Sequence, residues 1–93
     1  MIKTFACGET EKIFDRQVSR KLPNNIQHGA RRKLEILDAA ESLHDLRIPP
    51  SNRLEKLSGE RKNQYSIRIN DQWRISFEWQ NGDAFRVEIT EYH

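Results

Sequence analysis

The chain has 93 residues, with 16 Lys or Arg against 14 Asp or Glu, a net charge of +2. That length suits a single domain, residues 1–93, with one core. Its lone cysteine, Cys7, excludes an intramolecular disulfide and a cysteine-built zinc site. The start "MIKTFACGE" lacks the long apolar run of a secretory signal. Nowhere do about 18 apolar residues follow one another, so the expectation is a cytoplasmic chain with no membrane span.

Charge distribution says more than net charge. From Arg16 to Lys33 the bases are Arg16, Arg20, Lys21, Arg31, Arg32 and Lys33, with no acid among them. Such a stretch suits nucleic acid or an acidic partner, although a solvated helix face is the plainer explanation.

Taken in chain order, Ile2 to Ala6 reads as a short strand that Gly8 breaks. Thr10 is a candidate N-cap for a helix through Ile13, Phe14 and Val18. "KLPNN" punctuates, and Asn24 or Asn25 is placed to cap the next helix. There Ile26, Ala30, Leu34 and Leu37 form one helical stripe. The helix is expected to fade near Leu43, and Pro49-Pro50 forbids its continuation. In "RLEKLSGERK", Leu54 and Leu57 read as anchors under a basic edge.

The period then changes from helical to alternating. Tyr65, Ile67 and Ile69 make one apolar run, Trp73, Ile75, Phe77 and Trp79 the next, and Phe85, Val87 and Ile89 the third. With "NDQ" and "QNGD" between them, these runs predict an antiparallel meander. A two-residue Asn81-Gly82 turn would set Phe77 against Arg86, mixing apolar and charged residues on one face. A three-residue loop, Gln80 to Gly82, avoids this and pairs Phe77 with Phe85 and Ile75 with Val87. An Asn70 to Gln72 loop likewise pairs Ile67 with Ile75. The polar face then carries Arg68, Arg74, Arg86 and Glu88, with Arg68 beside Arg74 and Arg74 beside Glu88.

Like charges across a sheet are mildly destabilising, so Arg68 and Arg74 need a neutraliser or an outside anion. A surface ion-pair ladder answers this, and so does a phosphate platform. The last residues, "TEYH", bear on that choice. Tyr92 has the parity of Arg86 and Glu88, and His93 is an imidazole that titrates near neutrality. A terminal histidine is often idle. A carboxylate, a phenol and an imidazole beside an arginine row are nonetheless the components of proton-transfer chemistry on a phosphate. No Gly-rich phosphate loop, HExxH or Gly-x-Ser-x-Gly competes. His28, His44 and His93 are too scattered to suggest a metal.

The blocks "NRLEKLSGERKNQYSIRINDQWRISFEW" and "VEITEYH" resemble the HigB toxins of the RelE/ParE superfamily of bacterial toxin–antitoxin systems. The resemblance runs nearly end to end. It implies an α+β, RelE-like β-α-α-β-β-β fold, with two N-terminal helices packed on one face of an antiparallel sheet. It implies a ribosome-dependent mRNA endonuclease (an mRNA interferase) that needs no metal or other cofactor. The implied partners are the ribosome, mRNA and a HigA-type helix-turn-helix antitoxin, with operator DNA reached only through that antitoxin. The family's terminal Asp-Tyr-His falls on Glu91, Tyr92 and His93, and the arginine of its Trp-Arg pair on Arg74. Glu55 stands where some members carry a histidine, and Ser58 where some carry a base. The implied catalytic set is therefore His93, Tyr92, Glu91, Arg74 and Glu55. Arg53, Lys56, Arg61, Lys62 and Arg68 are the implied RNA contacts. Two other readings stay open: a toxin of this fold that acts on DNA gyrase, and a non-catalytic interaction module.

Overall fold

The structure is a computed structural model, and it describes residues 1–57 and 63–91. Two helices, α1 (Gly8–Phe14) and α2 (Asn24–Ala39), precede two short 3-10 turns, Leu43–Arg47 and Pro50–Asn52. Four strands follow: β1 (Glu55–Lys56), β2 (Gln64–Arg68), β3 (Trp73–Gln80) and β4 (Asp83–Glu91). They form one antiparallel sheet in the order β1-β2-β3-β4. The helices cover one face, the α+β arrangement the sequence implies. Among the described residues no helix is long and apolar enough to cross a membrane.

The α2 stripe is as the periodicity requires. Ile26, Ala30, Leu34 and Leu37 are all buried, against Ile67, Ile75, Phe77, Val87 and Ile89 of the sheet. Burying each large side chain contributes roughly 1.5–3 kcal/mol, which makes this layer the main source of stability. Pro23, rather than either asparagine, is the N-cap of α2, and the helix ends at Ala39. Leu43 instead opens a separate 3-10 turn, held by a capping box between Ser42 and Asp45.

Helix α1 also departs from expectation. It starts at Gly8 behind Cys7 and stops at Phe14, well before Val18. Thr10 is not its cap. The Thr10 side chain is fully buried, and its hydroxyl accepts the Ile89 N–H at 2.9 Å, tying α1 to the sheet. The link from α1 to α2 is organised around buried Ser19. Its hydroxyl donates to Glu9 at 2.7 Å and accepts the N–H groups of Lys21 and Leu22. That bond, with Lys12 nearby, holds the Glu9 carboxyl below its ordinary pKa.

The β3–β4 register overturns the predicted loop. Gln80 pairs with Asp83, so the turn is the two-residue Asn81-Gly82. Both turn residues are left-handed, at φ 51° and 84°, as a type I′ hairpin demands. Gly82 suits the position on two counts, because a Cβ there would also sit tightly, 3.3 Å from the Glu41 carbonyl oxygen. The conflict of faces is real, but a β-bulge resolves it rather than a longer loop. Glu78 pairs with Phe85 and Ser76 with Glu88, so Phe77 faces both Arg86 and Val87. Arg86 is the extra residue, at φ 53°. Phe77 therefore does not pair with Phe85, nor Ile75 with Val87; Ile75 pairs with Ile89. Ala84, not Phe85, takes the buried position beside Trp79.

The N-terminal segment runs parallel to β4, yet makes only two isolated bridges, Ile2 with Ala84 and Phe5 with Val87. Both pairs span three residues, so the segment steps over the bulge with its partner. The Arg86 N–H, displaced from the regular ladder, donates to the Thr4 hydroxyl at 2.8 Å. The expected first strand is thus replaced by these bridges, and the additional short strand β1 lies at the far edge of the sheet.

Candidate functional site

Across the helix-free face, Arg68, Arg74 and Thr90 lie opposite one another on β2, β3 and β4. The next row is Ser66, Ser76 and Glu88, and Glu55 of β1 continues it beyond Ser66. Arg68 and Arg74 are therefore neighbours, as expected. Arg74 is not beside Glu88, because the bulge shifts the register and sets Thr90 there instead.

This face is not uniformly open. The segment from Pro50 through β1 folds over its β2 end, leaving Ser66 at 1% exposure and Arg74 at 7%. The Arg74 guanidinium is anchored on several sides. Its Nε donates to the Ser66 hydroxyl at 2.8 Å, and Nη2 donates to the Arg53 carbonyl at 2.8 Å. Nη1 lies 3.7 Å from the Glu55 carboxylate. Hydrogen bonds are what allow a charge to be buried, and here they also fix which way the fork points.

The Arg53 carbonyl is delivered by a specific local structure. Arg53 closes the second 3-10 turn in a left-handed conformation, at φ 43°. Buried Asn52 clamps that turn, donating through Nδ2 to the Leu46 and Ile48 carbonyls at 3.1 and 3.2 Å. Its Oδ1 accepts from the Lys33 ammonium, which ties the turn to α2. Sequence reasoning missed Ser66 and Asn52. Ser66 alternates onto the polar face and looks exposed until β1 pairs beside it, and Asn52 sits in a proline-rich connection whose composition gives no sign of burial.

Arg68 pairs with Asp71 in the β2–β3 turn. The like-charge row is therefore neutralised by Asp71 and Glu55, not by Glu88. Arg53, Glu55, Arg68, Asn70, Asp71 and Arg74 line a cavity of about 190 Å³. Three guanidinium groups with two carboxylates at the rim suit a phosphate group flanked by proton-transfer partners.

Of the other candidates, Lys56 is exposed on β1 and does not line this cavity. Glu91 pairs with Trp73 and accepts from the Gln72 amide at 2.6 Å, on the opposite parity to Arg74. The structure therefore brings Arg53, Glu55, Arg68 and Arg74 together, and leaves Lys56 and Glu91 apart from them. Arg61, Lys62, Tyr92 and His93 lie outside the described residues.

The whole pattern has relatives. Residues 3–93 match the family described as RelE-like toxin of type II toxin-antitoxin system HigB. Toxin HigB-1 of Vibrio cholerae is 50% identical over 70 residues, 75% of this chain and 74% of that one. An uncharacterized protein of Haemophilus influenzae is 40% identical over 64 residues, 69% of this chain and 63% of its own. Endoribonuclease HigB of Proteus vulgaris is 29% identical over 93 residues, the full length of both chains.

Proposed function

Because the chain belongs to the RelE-like HigB toxins of type II toxin–antitoxin systems, we propose that it is a metal-independent endoribonuclease that cleaves mRNA on the ribosome. The observation that carries this reading is Arg74. It is a guanidinium more than nine-tenths buried, fixed by Ser66 and Arg53, at a cavity shared with Arg53 and Arg68. Its β4 neighbour is Thr90, two residues before Tyr92 in the chain. A preorganised cation of this kind stabilises charge as it develops on phosphorus, without reorganising during reaction.

The proposed reaction is an in-line transfer within the RNA. The ribose 2′-oxygen bonds to the adjacent phosphorus, a base takes its proton, and the 5′-oxygen leaves with a proton from an acid. The products are a 2′,3′-cyclic phosphate and a 5′-hydroxyl. His93 serves as acid or base, and Glu55 or Glu91 orients it or shares the proton transfer. Tyr92 stacks on or hydrogen-bonds to the RNA. Arg74, with Arg68, holds the phosphorane. Arg53, Lys56, Arg61 and Lys62 hold the strand. A family member of this type works against a cognate antitoxin, here proposed to be of the helix-turn-helix HigA kind, which keeps the toxin silent and contacts operator DNA itself. The setting is the cytoplasm, where ribosomes and mRNA are.

Mapping mRNA 5′ ends on purified ribosomes tests the proposal. Wild type is expected to create new 5′ ends within codons, and His93→Ala to abolish them. Stalled gyrase–DNA complexes without any mRNA cleavage would overturn it.

A further inference from the structure

The Arg74 cavity adjoins a larger one. Arg53, Arg68 and Asn70 line both, and from them a groove of about 540 Å³ runs to α2, where Arg32 and Lys33 form the far wall. Among the described residues, four cations line this groove and no carboxylate does. Arg31, their neighbour in sequence, turns elsewhere and pairs with Glu35 at 3.7 Å.

The cations are poorly neutralised. The exposed Arg32 and Arg53 guanidinium groups have no ion pair or hydrogen-bond acceptor among the described residues. Among the described residues Lys33 is held by neutral partners, the Asn52 amide oxygen and, at 3.5 Å, the Ser51 hydroxyl. Burial, and then Arg32 beside it, push the Lys33 ammonium below its ordinary pKa. Three positive side chains with no anion answering them leave room for one from outside. The floor is apolar where Ile36 and Ile69 reach it, so a ribose or base has a surface to rest on.

We propose that this groove is a second nucleotide subsite, in which Arg32, Lys33 and Arg53 take a backbone phosphate of the RNA strand beside the one at Arg74. The inference rests on the ribonuclease reading and extends it from one phosphate to two. Continuity favours RNA over an acidic protein segment. A strand seated at Arg74 must leave the cavity, and Arg53, Arg68 and Asn70, which line both spaces, put the groove next to it.

The probe is a short 2′-O-methyl oligoribonucleotide, which binds as RNA but lacks the attacking hydroxyl. Titrated into the full chain, it is expected to shift the amide NMR signals of Gly29, Ser51 and Asn70, which line the groove. By fluorescence anisotropy, Arg32→Gln is expected to weaken binding about five- to tenfold at low salt. It should also flatten the slope of log affinity against log salt by about 0.7, the loss of one phosphate contact on a single strand. Lys3→Gln removes an exposed cation from the segment beside β4, and should leave affinity near wild type. Silent groove amides, with Arg32→Gln and Arg53→Gln binding like wild type, would overturn the subsite even where mRNA cleavage is intact. Groove signals that respond to the antitoxin but not to the oligonucleotide would overturn it in favour of a protein-docking surface. Groove shifts in a protein that cleaves no mRNA would support the subsite and sink the nuclease reading alone.

Discussion

Arg74 and Arg86 stand on adjacent strands, and alternation alone would put them on one polar face. In the structure they have little in common. Arg74 is buried and held by Ser66, by the Arg53 carbonyl and by Glu55. Arg86 is exposed, sits on a bulge, and among the described residues pairs with Glu78 alone, at 3.9 Å. A loose surface pair of that kind is worth about 0–1 kcal/mol and leaves the side chain free to move. The contrast teaches where function can be built on this sheet. A cation that is to serve the proposed reaction must be held in place before the substrate arrives, and among the described residues the end beside the Pro50–Lys56 segment supplies the groups to do so.

The largest expected effect comes from breaking the held arginine. Arg74→Ala leaves the Arg53 carbonyl and the Ser66 hydroxyl buried without their donor. The cost should be about 2–4 kcal/mol by chemical denaturation. Cleavage on ribosomes should fall about 10²–10³-fold. Arg74→Lys separates charge from geometry, because an ammonium restores the positive charge but not the planar fork. Its stability should recover further than its activity. Equal recovery of both would mean that the fork has no special role.

A smaller effect is expected at Ser66, whose hydroxyl holds Arg74 in place. Ser66→Ala removes the acceptor of the Arg74 Nε–H at 1% exposure. The stability loss should be about 1–2 kcal/mol. Turnover should drop about tenfold with little change in KM, since the fork loses its aim and not its charge. A change confined to KM would instead place Ser66 against the substrate.

Much of the frame was legible because hydrophobic period is a local property. Ile26, Ala30, Leu34 and Leu37 mark one helical face whatever lies opposite, and the Ile67–Ile75 pairing follows from alternation and a short loop. The β3–β4 register was not legible by parity alone. Parity detects the conflict at Arg86 but does not choose between a longer loop and a bulge. Two signals favoured the bulge. Asn81-Gly82 is itself the strongest two-residue hairpin signal. Ile2 and Phe5 are three residues apart, matching Ala84 and Val87 rather than an alternating strand. The burial of Ser66 is of another kind, because it depends on the Pro50–Lys56 segment lying against β2, and nothing local to Ser66 announces it. The same holds for Arg32 and Lys33, whose place off the helical stripe fits solvent and groove equally well until the turn at Asn52 is seen to wall one side.

The other half of the comparison gives the smallest effect and the cleanest test of the register. Arg86 holds a left-handed conformation, at φ 53°, that costs a residue with a side chain about 1–2 kcal/mol. Arg86→Gly removes that strain and loses about 0.5–1 kcal/mol to the greater freedom of the unfolded chain. The two nearly cancel, so stability should stay within about 1 kcal/mol of wild type, on the favourable side. Cleavage should not change, because Arg86 lines a different cavity from the one at Arg74. Arg86→Val is the opposing arm. A β-branched side chain tolerates a left-handed backbone poorly, so this variant should lose about 1–2 kcal/mol. Were Val and Gly equally tolerated, residue 86 would not be the inserted residue. The β4 register would then have to slip, taking Thr90 away from its place opposite Arg74.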